Sequence, residues 1–229
     1  MRAAISNTLL YSFSVTFLRN LFGLILALML NAKIFGRNLL RTIFYFPMVV
    51  APVVIGYLFT AVYNPGNGLL NVFFKVAGLG FLAQDWLNDP KIALFSVIMT
   101  DVWRTSGFVM VIYLAGLQVI PGELYESASI DGAGSKWKFF NVTFPLLAPT
   151  ITVNVVLALI GTMKVFVMVL VLTKGGPGYA TEVMNTYILR SFSIGLYGYG
   201  TAMGLVLTLF ILLFGLPVLL FLRSREIEL

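Results

Sequence analysis

The chain has 229 residues, of which 59% are hydrophobic and 10% are charged, with a formal net charge of +6. A soluble domain usually carries about 25% charged residues, so this composition excludes an ordinary soluble enzyme and predicts a polytopic membrane protein. The chain contains no cysteine and no histidine, which excludes disulfides, the usual zinc, haem and iron–sulfur ligands, and histidine-dependent nucleophiles.

Five stretches of the chain are long and apolar enough to cross a bilayer, which requires about 20 residues. The loops between them are expected near 31–42, 64–91, 119–146 and 173–200. No stretch has the composition of a soluble domain, so we predict an all-α membrane helix bundle that occupies residues 1–229 as one transmembrane domain. In chain order, the five predicted spans cover 7–30, 43–63, 92–118, 147–172 and 201–222.

The loops differ in lysine and arginine, which are enriched on the cytoplasmic side of membrane proteins. By alternation, loops 31–42 and 119–146 lie on the same side as the C-terminal tail and together carry seven of these residues, against five on the other side. We therefore predict a cytoplasmic C-terminus and an N-terminus outside. No basic run is interleaved with aromatic residues, so we expect contact with anionic lipid and no nucleic acid partner.

Residues 121–145 form a polar segment between the third and fourth predicted spans that is longer than a simple turn. Pro121 suits the first position of a helix, and Glu123 would then lie near the positive end of the helix dipole. Gly132 is expected to end this helix in a left-handed conformation, after which Ser135 would cap a second helix. Two short helices here predict either an amphipathic element on the headgroups or a docking surface for a partner.

The polar segment contains Glu126-Ser127-Ala128, then Gly132 six residues after the glutamate, and then Val142-x-Phe144-Pro145. This spacing resembles the EAA loop of ABC importer permeases, in which Glu-Ala-Ala, the glycine and a later Ile-x-Leu-Pro recur. The resemblance covers most of the chain and is closest to carbohydrate-importer permeases of the maltose-transporter type. It implies a type I importer permease fold, in which one more helix usually lies upstream, so we expect a truncated chain or a five-helix variant. Other matching strings include Tyr45-Phe46-Pro47 and Leu172-Thr173-Lys174-Gly175-Gly176-Pro177.

The resemblance also implies a role for the polar segment. In the family, this segment docks into a cleft of a cytoplasmic ATPase subunit and passes its movement to the membrane helices. Glu126 is implied to form an ion pair with that subunit, and Gly132 to shape the turn of the docking knob. The other residues assigned to this coupling contact are Ser127, Ala128, Asp131 and Pro145.

A permease of this kind is implied to pair with a homologous permease, cytoplasmic ATP-binding subunits and an external or periplasmic substrate-binding protein. Loops 64–91 and 173–200 are candidate contacts for the binding protein, although the glycines and proline at 175–178 also suit a plain turn. No Gly-x-x-x-x-Gly-Lys-Ser/Thr string occurs, so we expect no cofactor in this chain and ATP hydrolysis by the partners.

Four ionisable side chains, Arg19, Asp101, Arg104 and Lys164, fall inside predicted spans. Each costs about 2.5–3.5 kcal/mol on insertion scales, so such groups usually face the interior of a bundle. Asp101 and Arg104 are three residues apart on one helix face and can neutralise each other. Internal ion pairing or packing between subunits is therefore the alternative to a solute path. The candidate path residues are Asp101, Trp103, Arg104, Asn154, Lys164 and Phe166, with an aromatic ring stacking on a sugar face.

The sequence leaves the transported solute and some rival functions open. Sugars or related polar solutes are favoured, while amino acids, polyamines and phosphate esters are alternatives. An ion-driven secondary transporter would not need the docking segment. An intramembrane protease would need a histidine or two membrane aspartates, whereas only Asp101 lies within a predicted span.

Overall fold

The computed structural model describes residues 1–32 and 34–226. These residues form helices and connecting segments without a β-strand, which confirms the all-α fold class. A 3-10 turn at Gly80–Leu82 and a π-helical turn at Phe139–Thr143 accompany the α-helices. In chain order, the α-helices are α1 Arg2–Asn31, α2 Arg37–Val49, α3 Pro52–Val62, α4 Leu69–Val76, α5 Ala93–Val119, α6 Gly122–Ile130, α7 Ser135–Lys138, α8 Phe144–Leu146, α9 Ala148–Met163, α10 Val167–Leu172, α11 Met184–Ser193 and α12 Tyr197–Arg223.

Among the described residues, three helices are long and apolar enough to cross a membrane, namely α1, α5 and α12. They confirm the first, third and fifth predicted spans, with ends that lie within about five residues of those expected from sequence. Two bent pairs, α2 with α3 and residues 135–146 with α9, raise the number of candidate spans to five.

The second predicted span, 43–63, is bent by 98° between α2 and α3. Pro52 begins α3, and a proline disfavours helical backbone at the preceding residue. Val50 and Ala51 are accordingly extended, with ψ angles of 136° and 134°. Because α2 already begins at Arg37, the loop expected before this span is shorter than predicted.

The fourth predicted span, 147–172, is divided into two helices, which corrects the expectation of one continuous span. α9 ends at Met163 and α10 begins at Val167. Lys164 closes α9, and Phe166 has an extended φ of −147°. The two helices also have different neighbours, since α9 packs against α1 and α12 whereas α10 packs against α3. These separate tertiary contacts favour a break that no proline enforces.

The long helices alternate in direction around a shared core. α1 and α5 run parallel, because Tyr11 bonds to Asp101 near one end and Tyr113 bonds to Asn20 further along. α9 crosses both helices, and α12 packs against α9. The polar segment at 121–145 lies at what we call the segment end of the bundle. The opposite end carries the long loops between α3 and α5 and between α10 and α12, and we call it the loop end.

A stripe of small polar side chains allows α1 to pack closely against its neighbours. Thr8, Ser12, Thr16 and Asn20 recur at every fourth position and are all buried. Gly23 continues the stripe, and a Cβ atom there would lie 2.6 Å from Cγ1 of Val109. Small residues of this kind let membrane helices approach one another and share hydrogen bonds.

Candidate coupling segment and intramembrane cavity

The first helix of the polar segment is α6, which begins one residue later than predicted. Pro121 precedes α6 with extended backbone, and Glu123 lies in the first turn, as expected. Gly132 has a φ of 76°, which confirms the left-handed turn. Since a Cβ atom on Gly132 would meet nothing within 4 Å, the glycine is required by backbone conformation rather than by space.

The second helix of the polar segment differs from the prediction at its start. Gly134 precedes α7 and Ser135 is already its first residue, so Ser135 does not act as the predicted N-cap. α7 continues through the π-helical turn into α8, where Pro145 lies in the first turn. A proline lacks the N–H that would bond to the carbonyl four residues earlier, so regular α-helix cannot pass unbroken through this position.

The two halves of the polar segment are tied together by side chains. Nζ of Lys138 donates a 2.7 Å hydrogen bond to Oγ of Ser129. The hydroxyls of Tyr125 and Thr143 lie 3.0 Å apart, and Tyr125 also packs against the core at the segment end. These contacts hold the segment as one unit that joins α5 to α9.

The predicted coupling residues divide into an exposed group and a packed group. Glu126, Ser127, Asp131 and Gly132 are exposed. Ala128 is only 6% exposed and packs inward, while Pro145 is half-buried. The same surface exposes large apolar side chains, namely Ile130, Trp137, Phe140 and Phe144.

A polar cavity of about 380 Å³ lies between α1, α5 and the break after α9. It brings together four of the six predicted path residues, Asp101, Arg104, Lys164 and Phe166. Arg19 of α1 lines the same cavity. The volume falls within the range of about 300–1,000 Å³ that small-molecule sites occupy.

Asp101 is the hydrogen-bond acceptor at the centre of this cavity wall. Its Oδ1 accepts bonds from Nε and Nη2 of Arg104 at 3.2 and 3.0 Å. Its Oδ2 accepts a 2.8 Å bond from the hydroxyl of Tyr11, a fully buried residue. Tyr11 is therefore part of the site, although the sequence analysis did not select it. The signal for Tyr11 in the sequence is its position next to the Thr8–Ser12 stretch of the buried stripe.

Two predicted path residues lie away from the polar cavity. Trp103 is 48% exposed and faces an apolar groove, with its ring centroid 5.1 Å from that of Phe59. Helix geometry explains this placement, because residues two apart point in nearly opposite directions whereas Asp101 and Arg104 share a face. Asn154 is 1% exposed and lies deeper in the bundle.

At the loop end, Asn7 of α1 binds the backbone that precedes α11. Its Nδ2 donates to the carbonyl oxygens of Ala180 and Glu182 at 3.0 Å each, and to that of Tyr179 at 3.4 Å. The adjacent Thr8 hydroxyl accepts a 2.9 Å bond from the N–H of Met184. Asn7 and Thr8 thus fix the loop between α10 and α11 to the start of the bundle.

A partly buried ion pair joins the same loop to α11. Nη1 of Arg190 lies 2.8 Å from Oε2 of Glu182, whose side chain is 2% exposed. The guanidinium also lies 4.9 Å from the centre of the Tyr179 ring. Burial raises the pKa of the Glu182 carboxyl, and the positive charge of Arg190 opposes that rise.

Replacement of Arg190 by glutamine should make the stability of this loop more dependent on pH, because the charge that opposes the raised pKa of Glu182 is lost. A raised pKa means that the folded form holds a proton that the unfolded form releases, so stability falls as pH rises through the raised value. We expect Arg190→Gln to lower the free energy of unfolding by about 2 kcal/mol at pH 8. This loss is smaller than the roughly 3–5 kcal/mol expected on breaking a fully buried pair, because Arg190 is partly exposed. Thermal unfolding of the purified protein at pH 5 and pH 8 measures this, and the lower pH should restore part of the loss.

Glu182→Gln is the matched control, since its carboxamide leaves no buried charge when the ion pair is lost. Its unfolding temperature should fall less than that of Arg190→Gln and should change little with pH. Equal losses in both variants at every pH would contradict the assignment of the effect to the Glu182 carboxylate.

Comparison with known proteins places the chain in one family. The family described as binding-protein-dependent transport system inner membrane component matches residues 19–224. The trehalose/maltose transport system permease protein MalF of Thermococcus litoralis is 36% identical over 219 residues, which cover 96% of this chain and 74% of that protein.

Solved structures agree with that match. A chain of a bacterial ABC transporter involved in the import of the acidic polysaccharide alginate superposes with a TM-score of 0.85 at 29% identity, covering 97% of this chain and 78% of that chain. A second structure, of the bacterial alginate transporter with an alginate pentasaccharide-bound periplasmic protein, gives 0.80 at 28% identity and covers 99% of this chain and 80% of that chain. The chain therefore belongs to the inner-membrane permease family of binding-protein-dependent ABC transport systems.

Proposed function

We propose that this chain is the transmembrane subunit of an ATP-driven importer of sugars or related polar solutes, and that it forms the translocation path with a second permease. The observation that carries the proposal is the polar segment at 121–145. It forms a folded, exposed unit at one end of the bundle and is continuous with both α5 and α9. The sugar class is supported by MalF and the alginate importer, which resemble this chain over nearly its whole length.

The polar segment is proposed to dock on a cytoplasmic ATPase subunit. The lysine and arginine bias of the loops supports a cytoplasmic segment end and an N-terminus outside. Exposed apolar side chains beside Glu126 and Asp131 suit a protein interface, because large apolar patches on a surface mark interaction sites. In this proposal the exposed residues make the contact, whereas Ala128 and Pro145 support the shape of the segment.

The polar cavity is proposed to form one wall of the solute path, with the second permease supplying the other wall. Ionisable groups within membrane helices commonly mark pathways for polar solutes or ions. Phe166 adds an aromatic face next to Lys164 and Asp101. We assign Trp103 and Asn154 no contact with the solute in this chain, because they lie away from the cavity.

The loop end is proposed to receive a substrate-binding protein. Asn7 and Thr8 hold the backbone at 179–184. The exposed side chain of Tyr179 therefore projects from a fixed backbone. The alginate importer in complex with its periplasmic protein supports this kind of partner.

Reconstitution tests the proposed function against an ion-driven transporter. The chain is purified with its co-expressed partner permease, ATPase subunits and binding protein, and placed in liposomes with labelled oligosaccharides. We expect uptake that requires ATP and the binding protein. Uptake that persists without ATP and follows an imposed ion gradient would contradict the proposal.

A further inference from the structure

The charges around the polar cavity are unequal. Arg19, Arg104 and Lys164 contribute three cations, and Asp101 contributes one carboxylate. The cavity wall therefore carries a formal excess of two positive charges. A neutral sugar needs hydrogen-bond partners but gives no reason for such an excess, because each charge within a membrane bundle is costly.

The single negative charge of Asp101 offsets only one of these cations, and Asp101 forms its salt bridge with Arg104. Arg104 binds Oδ1 through two nitrogens, and Tyr11 binds Oδ2. Arg19 and Lys164 form no salt bridge within residues 1–32 and 34–226. The Nε atom of Arg19 is buried and has no hydrogen-bond partner in the same residues. A buried guanidinium N–H without an acceptor is destabilising unless water or a bound group supplies one.

The cavity that these cations line is suited to a solute. Lys164 lies at the break between α9 and α10, and discontinuous helices often form the binding sites of transporters. Arg19 lines the same cavity from α1. Phe108 and Phe166 supply aromatic surface next to these charges, which suits the apolar face of a sugar ring.

We propose that the imported solute is an anionic sugar, and that Arg19 and Lys164 bind its carboxylate or another charged oxygen group. This inference rests on the sugar-importer function proposed above. An arginine and a lysine that line one cavity match such a group, since guanidinium bonds to anionic oxygens are short and can be bidentate. Arg104 stays with Asp101 and keeps that side of the cavity neutral.

The test uses the reconstituted transporter and two matched solutes. One is a labelled mixture of uronic acid oligosaccharides, and the other is the same mixture after reduction of its carboxyl groups to primary alcohols. We expect uptake of the acidic mixture to exceed that of the reduced mixture by about tenfold or more, as the loss of charged hydrogen bonds predicts.

Variants separate the cavity from the binding protein, which is the same in every assay. Arg19→Gln and Lys164→Gln should each reduce the preference for the acidic mixture by about tenfold, and Arg19→Lys should keep much of it. Arg223→Gln is the control, since Arg223 is exposed at the end of α12 and does not line the cavity, and its loss should leave the preference unchanged. Size-exclusion chromatography of each variant checks that the protein is folded.

The outcomes are distinct. Uptake of only the reduced mixture, or an unchanged preference in both cavity variants, would overturn the anionic solute while leaving a sugar importer intact. ATP-dependent uptake of neither mixture would overturn the anionic sugar, and ATP-dependent uptake of no labelled oligosaccharide at all would overturn the sugar assignment itself.

Discussion

Replacing Gly107 with alanine should prevent the bundle from reaching its native packing. Gly107 lies on α5 where the backbone of α2 crosses it. A Cβ atom there would overlap the carbonyl oxygen of Phe44 and would lie 2.9 Å from Cα of Tyr45. These are backbone atoms that cannot rotate aside, so α2 would have to move as a whole.

The expected loss is large because overpacking against backbone leaves no cheap relaxation. We expect a destabilisation of about 3 kcal/mol or more, at the upper end of overpacking costs. For a chain of this size the loss corresponds to a fall in unfolding temperature of about 6–12 °C. The effect is measured by thermal unfolding of the purified protein and by the fraction of the protein that is monodisperse after extraction.

Gly204→Ala is the matched control for Gly107→Ala. Gly204 also lies within a long helix, α12, and a Cβ atom there would meet nothing within 4 Å. Alanine in a helix is favoured over glycine by about 0.5–1 kcal/mol, so this variant should be as stable as the parent or slightly more so. Similar unfolding temperatures in the two variants would show that α2 does not pack against Gly107 as described.

Replacing Glu126 with arginine should nearly abolish uptake while the permease stays folded. Glu126 is exposed and makes no hydrogen bond or ion pair within the described part of the chain, so its loss should not affect folding. In the proposed docking contact, an arginine at position 126 would face the basic group of the ATPase subunit, so two positive charges would repel each other. Loss of a buried charge pair costs about 2–5 kcal/mol, which predicts uptake lower by about 30-fold or more.

The measurement compares ATP hydrolysis and uptake in the same liposomes. Hydrolysis should lose its stimulation by the loaded binding protein, because movement no longer passes between the ATPase and the membrane helices. Glu226→Arg is the control, since it reverses the same charge after α12 and outside the polar segment. Normal uptake by Glu126→Arg, or an equal loss in both variants, would contradict the docking role.

The sequence predicted the regular features of the fold well, because hydrophobic length and glycine conformation are local properties. α5 was predicted to within one residue at each end. The left-handed turn at Gly132 was also correct. The first depends on the surrounding solvent and the second on the backbone of one residue. Neither depends on contacts with distant residues.

The features that were missed depend on contacts between helices. The break at Lys164 carries no proline, and it follows from the different neighbours of α9 and α10. Ser135 has the composition of an N-cap, but the backbone places Gly134 in that position. Nothing local to Asn7 indicates that it binds a loop more than 170 residues away.

The candidate cavity was predicted in part. Asp101, Arg104 and Lys164 were found because charges are conspicuous in apolar spans, and the structure brings them together. Trp103 could have been excluded from a helical projection, since it lies nearly opposite Asp101 on α5. Tyr11 was missed because a tyrosine in an apolar helix is not conspicuous unless the buried stripe beside it is considered.

The break in the fourth span has a mechanical consequence. The polar segment leads directly into α9, which is packed on α1 and α12, whereas α10 is packed on α3. A push applied to the segment would therefore act on α9 more directly than on α10, which packs mainly on α3. We expect the relative movement of α9 and α10 to be concentrated between Met163 and Val167. The largest displacement would then fall on the wall that holds Lys164 and Phe166, so a force applied at the membrane surface would change the shape of the proposed solute path.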